Sequence, residues 1–330
     1  MKWIYKRAII TVIALFVAIT LTFYMVRVMP GNPAASLIIQ YMQQGYSYTE
    51  AVQMASTAIG YNLSEPIWQA YISYIINLFH GNLGRSIDYD APVSVIIANT
   101  LPITLFEVIV SLLVSFFLGV YLGLALAYLR KHKHFIATSK IILSILNGIP
   151  NYILALLLLY YFAVIYKIFP SSGAWGDVQI GLSLPFIVSF LRHMTLPLLS
   201  FILTMIPGWT FGMMGNAVSV IKDDYVNSAK ARGIPNRRIM FTYVGRNSIL
   251  PLYTGLILSF GFLLGGAVFI ETIFHIPGFG YYMYQAIGGL DYPLMMGYFL
   301  VIMITIIGGN FLADLTYSLI DPRVKVGGEG

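Results

Sequence analysis

The chain has 330 residues, of which 58% are apolar and only 10% are charged. Soluble domains carry about 25% charged residues, so this chain has too few charges to cover the surface of a soluble protein of its size. The composition is also the reverse of that of disordered chains, which combine low hydrophobicity with high charge. The absence of cysteine excludes disulfides, thiolate-ligated zinc, iron–sulfur clusters and thiol nucleophiles. A polytopic membrane protein is the class that remains.

Six charge-free stretches are long enough to cross a bilayer, which requires about 20 apolar residues per helix. They lie at residues 8–26, 108–129, 141–166, 194–221, 247–270 and 292–313. None alternates polar and apolar residues as the strands of a membrane barrel do. The first stretch is longer than a signal-peptide core and lacks a small-residue cleavage site, so we interpret it as a retained helix. The predicted fold class is all-α, a polytopic membrane protein with six transmembrane helices.

The basic residues are distributed unevenly between the two sides of these spans. With an inner N-terminus, fifteen of the nineteen fall on the inner side, and only Arg27, Arg85, Lys167 and Arg192 fall outside. Cytoplasmic loops hold the excess of lysine and arginine, so both termini are predicted to be cytoplasmic, in the plasma or inner membrane of the cell. The net charge of +6 then reflects topology and contact with the lipid bilayer, and no nucleic-acid partner is predicted.

The segment between the first two spans is predicted to lie outside the membrane. The cluster at residues 30–33 (Pro-Gly-Asn-Pro) predicts a turn directly after the first span. Between residues 48 and 78, apolar residues recur at helical spacing with breaks at Gly60 and Pro66, which predicts one or two short amphipathic helices. We therefore divide the chain into an N-terminal region (residues 1–100) and a core with five spans (residues 101–330).

The only long cytoplasmic loop, residues 222–246, carries signals for two short helices. Asp223 and Asp224 suit the positive N-terminal end of a first helix, and Gly233 followed by Pro235 suits its end. Asn236 is expected to cap a second helix. This arrangement predicts an angled projection and not merely a solvated basic loop, which is the alternative interpretation.

The small residues Ala229 and Ala231 are expected to keep one surface of this projection shallow. A groove on another protein could then approach the helix closely. The projection is thus predicted to be a docking element.

The docking loop and residues 246–251 resemble the EAA-type coupling motif of ABC importer permeases, in the form used by the dipeptide, oligopeptide and nickel group. Residues 269–280 look like that group's E-x-I-F-x-x-P-G-x-G signature, and residues 291–293 and 319–323 are similar to its C-terminal pattern. Residues 81–86, 101–105 and 148–150 fit its B-type subunit. The sequence Asn227-Ser228-Ala229 stands where the general motif has Glu-Ala-Ala, which puts a specific glutamate ion pair to the ATPase in doubt.

The resemblance implies the type I ABC importer permease fold and a subunit that forms the translocation path for peptides or oligosaccharides. The implied partners are a second homologous permease subunit in a heterodimer, two cytoplasmic ATPase subunits and an extracytoplasmic solute-binding protein. The residues implied to couple to the ATPase are Asp223, Tyr225, Val226, Ala229, Ala231, Arg232, Gly233, Arg237 and Arg238. The sequence has no G-x-x-x-x-G-K-[ST] motif, so ATP and magnesium are expected on the partner subunits and no cofactor on this chain.

Three residues within the spans are candidates for the translocation path. Glu107 is predicted to lie inside the second span, where it either faces the path or bonds to a neighbouring helix, since intramembrane acids are rare and often functional. Trp209 is predicted to line the path in the fourth span, and Gly265 either narrows the path or permits close helix contact. The candidates for the external gate, or for a fixed turn there, are Glu271, Pro277, Gly278 and Gly280.

The alternative function is a stand-alone secondary transporter or channel, which would show inverted repeats and paired intramembrane charges. We find no repeat and only one deep acid. An intramembrane enzyme would need a nucleophile–base or metal pair, and the sequence predicts no catalytic residue and no metal site. Gly119 and Gly123, four residues apart, predict close helix packing.

Overall fold

The structure is a computed structural model that describes residues 2–29, 33–59, 66–129 and 131–320, and every regular element in these ranges is a helix. The helices are α1 (Lys2–Val28), α2 (Pro33–Gln43), α3 (Tyr48–Ile59), α4 (Ile67–Phe79), α5 (Val93–Tyr128), α6 (Lys133–Gly148), α7 (Asn151–Leu158), α8 (Leu184–Val220), α9 (Asp224–Ala231), α10 (Asn236–Arg238), α11 (Gly245–Ser248), α12 (Leu250–Phe274), α13 (Phe279–Gly289) and α14 (Tyr292–Ile320). Two π-helical segments, Leu159–Ile165 and Ile239–Val244, continue α7 and α10. The predicted all-α class is confirmed.

Five helices in the described ranges are long and apolar enough to cross a membrane, namely α1, α5, α8, α12 and α14. The third predicted span, residues 141–166, is wrong as a single helix, because α6 and the α7 segment meet there at an angle of 96°. Ile149 is extended (φ −88°, ψ 119°), as the residue before a proline tends to be, and Pro150 has no N–H to continue the helical ladder. The described ranges contain a sixth span only if this bent pair of helices crosses the membrane as a single broken span.

The segment that follows α1 contains three helices. α3 and α4 confirm the predicted amphipathic helices, and Pro66 directly precedes α4. α2 was not predicted, and it packs on α3 through Leu37, Ile38 and two alanines. The predicted break at Gly60 lies outside the described residues, as does the predicted turn at residues 30–33 except for Pro33, which begins α2.

The chain packs as two compact units, the first formed by residues Met1–Thr104 and Pro277–Gly330. In this unit α1 packs along α14, and Arg7 forms an ion pair with Asp314 at 2.8 Å. α4 is held to α1 by aromatic contacts of Phe23 with Tyr71 and Tyr74, each with ring centroids 5.4 Å apart. The predicted division of the chain at residue 100 stays a prediction.

The second unit, Leu105–Ile276, is organised around α8, which contacts α6, α7 and α12. α5 approaches α8 at the two glycines that predicted close packing. A Cβ atom at Gly119 would lie 2.5 Å from Cβ of Trp209, and one at Gly123 would overlap the carbonyl oxygen of Thr210. This confirms the predicted glycine contact, because side chains at these positions would force the helices apart.

Candidate functional site: a docking loop and a buried acid

The predicted docking element forms as two short helices. α9 begins after Asp223, whose backbone is extended but whose side chain makes no capping hydrogen bond. The helix ends where Gly233 adopts a left-handed φ of +74°, and the N–H of Gly233 donates to the carbonyl of Lys230 at 3.0 Å. The predicted stop at Gly233 is therefore confirmed, since left-handed backbone is cheapest for glycine.

The second helix of the docking element differs from the prediction at its start. Asn236 is the first helical residue and not the cap; the capping position is Pro235, which offers no side-chain acceptor. Proline suits the start of a helix because the first N–H groups have no intrahelical acceptor there. After three residues the helix widens into the π-helical turn Ile239–Val244 before α11.

Two of the predicted coupling residues belong to the core of the second unit. Val226 is fully buried and Ala229 is 3% exposed, in a cluster with Leu124 and Ala127 of α5 and with Met213 of α8. The prediction that Ala229 provides a shallow outer surface is wrong, because its face of α9 turns inward. These two side chains anchor the docking element to α5 and α8.

The other seven predicted coupling residues are exposed. They are Asp223, Tyr225, Ala231, Arg232, Gly233, Arg237 and Arg238. Lys222, Lys230 and Arg246 add to an exposed surface on which basic residues outnumber acidic ones. The ion pairs found among the described residues, Arg7–Asp314 and Arg85–Asp90, involve none of these charges. The docking element therefore presents charged side chains that no acid within the described part of the chain neutralises.

Hydrogen bonds that sequence reasoning missed connect α9 to the segment that follows α10, and connect that segment to α8. The side-chain amide of Asn247 donates to the hydroxyl of Tyr225 at 2.6 Å, and that hydroxyl donates to the carbonyl of Tyr243 at 3.4 Å. Asn216 of α8 donates to the carbonyl of Ser248 at 3.0 Å. Their only sequence signal was that Asn247 and Ser248 lie in the stretch that resembles the coupling motif.

Glu107 lies inside α5 and is completely buried in the second unit. Neither of its carboxyl oxygens has a hydrogen-bond partner among the described residues, so the alternative of a bond to a neighbouring helix is not realised. Ser111, one turn further along the same helix, is also buried, and its hydroxyl has no partner within the described ranges. Glu107 is close enough to Glu271 for the two carboxyl groups to interact electrostatically. The structure thus brings together one path candidate and one gate candidate.

The other two path candidates lie in different environments. Trp209 of α8 is half-buried and packs edge-on against Phe116 with ring centroids 5.1 Å apart. A Cβ atom at Gly255 would lie 3.6 Å from its indole ring, so Trp209 fills the space between α5 and α12. A Cβ atom at Gly265 would meet open space. The roles of Trp209 and Gly265 in translocation stay predictions.

The signature segment, residues 269–280, divides between the two units. In the second unit Glu271 is buried, and α12 ends at His275, whose φ of 52° is left-handed. In the first unit the extended Gly278 precedes α13, and the N–H of Phe279 donates to the hydroxyl of Thr104 at 2.8 Å. Gly280 is buried in the first turn of α13, and Pro277 is half-buried. The gate role of these residues stays a prediction.

A buried carboxylate at the start of α14 also escaped the sequence analysis as a functional position. Asp291 is fully buried, and its Oδ2 accepts bonds from the hydroxyl of Ser86 at 2.5 Å and from the N–H groups of Ile87 at 2.8 Å and Asp88 at 3.2 Å. Its Oδ1 accepts from the N–H of Leu294 at 3.1 Å. Asp291 thus caps α14 and holds the 86–88 loop on the same carboxylate.

The chain matches known transport proteins over most of its length. Residues 119–326 match the family described as binding-protein-dependent transport system inner membrane component. A putative peptide permease of Brucella suis is 32% identical over 93% of both chains. The dipeptide permease DppB of Lactococcus lactis and the oligopeptide permease OppB of Haemophilus influenzae are each 28% identical over 98% of this chain and 99% of theirs.

A solved structure shares the fold. The MetNI methionine ABC transporter in inward-facing conformations aligns with a TM-score of 0.52 at 15% identity, over 68% of this chain and 96% of the other. The type I permease fold expected from the resemblance is therefore confirmed, together with the transmembrane character of the long apolar helices. The chain belongs to the binding-protein-dependent transport system inner membrane components and is a multi-pass permease subunit of an ABC importer.

Proposed function

We propose that this chain carries peptides inward as one of two homologous permease subunits in a heterodimer. The relatives named as peptide, dipeptide and oligopeptide permeases support this cargo over oligosaccharides. Two ATPase subunits bind ATP and magnesium on the cytoplasmic side, and a solute-binding protein delivers the peptide from outside. This chain is not an enzyme and holds no cofactor. Both of its termini are cytoplasmic, because the excess of basic residues lies on that side.

The observation that carries the proposal is the division of α9 into two faces. Its inner face is fixed in the core by Val226 and Ala229, whereas its outer face presents Lys230 to solvent. The turn after it and α10 add the exposed Arg232, Arg237 and Arg238. A projection that is firmly anchored and still exposed suits a rigid contact with a partner subunit. Closure of the ATPase dimer would then move α8 and the helices packed on it, which biases the permease between two states.

Gly233 offers a sharp test of the docking role. A Cβ atom there would meet nothing within 4 Å, so substitution acts on the backbone alone. Valine at a φ of +74° costs about 1–2 kcal/mol, whereas asparagine tolerates left-handed backbone. We expect Gly233→Val to reduce co-purification of the ATPases and peptide uptake several-fold while membrane insertion is unchanged. Gly233→Asn is the matched control and should retain most of the ATPase co-purification and most of the peptide uptake.

Reconstitution into proteoliposomes distinguishes an ABC importer subunit from a stand-alone transporter. Proteoliposomes with the full complex should accumulate labelled peptide only with ATP and the binding protein. Accumulation by this chain alone would establish a stand-alone transporter and refute the proposal. Normal ATPase binding and uptake by Gly233→Val would refute the docking role of the loop.

A further inference from the structure

A cavity of about 110 Å³ lies in the first unit between α1, α4 and α14. Its wall is mostly apolar and includes Phe23, Ala70 and Met296. A single water needs only about 10–15 Å³ of such volume, so the cavity has room for a larger group. The family match begins at residue 119, so α1 and α4 lie outside it, and only the α14 part of the cavity wall lies within it.

Two buried hydroxyl groups line this cavity and have no hydrogen-bond partner in the described part of the chain. They belong to Tyr74 of α4 and Tyr292 of α14, and the whole Tyr292 residue is only 5% exposed. Burial, followed by the neighbouring Tyr71, raises the pKa of Tyr74 to about 12, so this hydroxyl keeps its proton and can donate. Buried polar groups almost always have partners, so two unpartnered hydroxyls on one cavity indicate a missing acceptor.

The remaining polar groups on the cavity wall favour an anion. Arg27, Asn77 and Asn82 also line the cavity, and none of the lining residues within the described ranges is acidic. Arg27 is close enough to Tyr292 to interact with it electrostatically. A guanidinium with several neutral donors is a favourable environment for phosphate oxygens, and the apolar wall is favourable for hydrocarbon. The ligand that combines both properties is an amphiphile with an anionic head.

The position of the cavity identifies the source of such an amphiphile. Arg27 lies in the last turn of α1, at the end of the apolar segment Ile4–Val28, and therefore at the level of the lipid head groups. Only 11% of the apolar window of α1 is buried within the chain, so most of this helix is exposed to its surroundings. In the proposed orientation this end of α1 reaches the outer leaflet.

We propose that this cavity binds the head group of an outer-leaflet phospholipid. Arg27 and the hydroxyls of Tyr74 and Tyr292 donate to the phosphate, and the acyl chains continue along the apolar wall towards the exposed face of α1. The bound lipid joins α1 and α4 to α14 on the outer side of the membrane.

The test uses the complete transporter in nanodiscs and phosphatidylglycerol that carries a photoreactive group on one acyl chain. After illumination, mass spectrometry maps the labelled peptides. We expect labelling of α1, α4 and α14 in the unmodified complex. Arg27→Gln should reduce it about tenfold, the factor expected for the loss of one charge-assisted hydrogen bond.

The double variant Tyr74→Phe, Tyr292→Phe removes both hydroxyls but keeps the aromatic volume, so it remains decisive if Arg27→Gln does not assemble. It should lose most of the labelling, whereas Tyr24→Phe, on α1 outside the cavity lining, should retain it. Equal labelling of the double variant and the unmodified complex would overturn the proposal. Displacement of the label by millimolar inorganic phosphate would indicate a free-phosphate site, and equal labelling by a diacylglycerol probe without phosphate would indicate a purely apolar groove; either result would also overturn it.

Discussion

Asp291 and Glu107 are both fully buried acids, but their surroundings are opposite. The carboxylate of Asp291 accepts four hydrogen bonds, three from the 86–88 loop and one from the first turn of α14. The carboxyl group of Glu107 accepts none within the described residues and lies near a second acid, Glu271. Four charge-assisted bonds offset the desolvation of one buried acid, and nothing comparable stabilises the other.

Asp291 therefore stabilises the fold, whereas the burial of Glu107 lowers the stability of the fold. A buried polar group without partners destabilises the fold, and such groups in natural proteins need an explanation. Residues that are unfavourable for stability are common at functional positions. The contrast therefore strengthens the prediction that Glu107 belongs to the translocation path, and it assigns Asp291 to architecture.

The largest effect is expected from Asp291→Ala, which removes the acceptor of four donors at once. The N–H groups of Ile87, Asp88 and Leu294 would remain buried or half-buried without their acceptor, and each such loss costs about 1–3 kcal/mol. We expect a destabilisation of about 3 kcal/mol or more, measured as a lower unfolding temperature and a lower yield of the purified complex.

Two substitutions control this result. Asp291→Asn keeps an acceptor oxygen and should be less damaging, and Asp90→Asn changes an aspartate whose side chain is 92% exposed and should be nearly neutral. If Asp291→Ala has the same unfolding temperature as the unmodified complex, Asp291 does not stabilise the fold and its structural role is refuted.

The second prediction concerns Glu107→Leu, which replaces the unpartnered carboxyl by an apolar group of similar size. Removal of an unpaired buried polar group should stabilise the fold by about 1–3 kcal/mol. We expect a higher unfolding temperature together with slower ATP-dependent peptide uptake, measured on the same reconstituted complex. Ser111→Ala, which removes the neighbouring unpartnered hydroxyl, is the control for stability without loss of a carboxyl.

The peptide uptake and the unfolding temperature of Glu107→Leu test two separate parts of this prediction. Unchanged uptake would remove Glu107 from the translocation path, even if the complex becomes more stable. A lower unfolding temperature would show that Glu107 has a stabilising partner, and the contrast with Asp291 would then collapse.

The smallest effect is expected at Asp88, which lies beside the charge of Asp291. Partial burial, and then the negative charge of Asp291, raise the pKa of Asp88 above its usual range. A raised pKa means that the folded state binds the proton more tightly than the unfolded state, so stability is lost as the pH rises through the folded pKa. We expect Asp88→Asn to gain a few tenths of a kcal/mol at pH 7, because the group is mostly solvated.

The pH dependence gives the check. The advantage of Asp88→Asn in unfolding temperature should shrink as the pH falls from neutral towards the usual pKa of aspartate, where the native side chain also becomes neutral. An advantage that is equal at pH 7 and at acidic pH would exclude the charge of Asp88 as its cause.

Local sequence signals predicted local structure well. Asp223, Asp224 and Gly233 correctly predicted where α9 begins and ends. Acidic side chains favour the N-terminus of a helix and glycine favours left-handed backbone, and both preferences are properties of the residue itself. Proline was a poorer guide. Pro102 and Pro197 lie within continuous helices, whereas Pro150 follows a bend of 96°. Proline is tolerated in membrane helices when neighbours compensate, so the break at Pro150 depends on packing that a single stretch of sequence does not contain.

The details of the site depended on distant contacts. Nothing in the sequence around Ala229 indicates that its side of α9 faces Leu124 and Met213, so the shallow-surface prediction failed. The burial of Asp291 depends on a loop about 200 residues earlier, which no local pattern reveals. Glu107 was recognised as a deep acid from its position in an apolar run, but its lack of a partner required the structure.

The close approach at Gly119 and Gly123 has a mechanical consequence. α8 ends at Val220, only a few residues before the docking helix α9 begins at Asp224. Because the glycines let α5 rest directly on the backbone of α8, the two helices cannot slide along each other without steric collision. In the orientation proposed above, a displacement at the cytoplasmic end of α8 would therefore move α5 with it, and with α5 the buried Glu107.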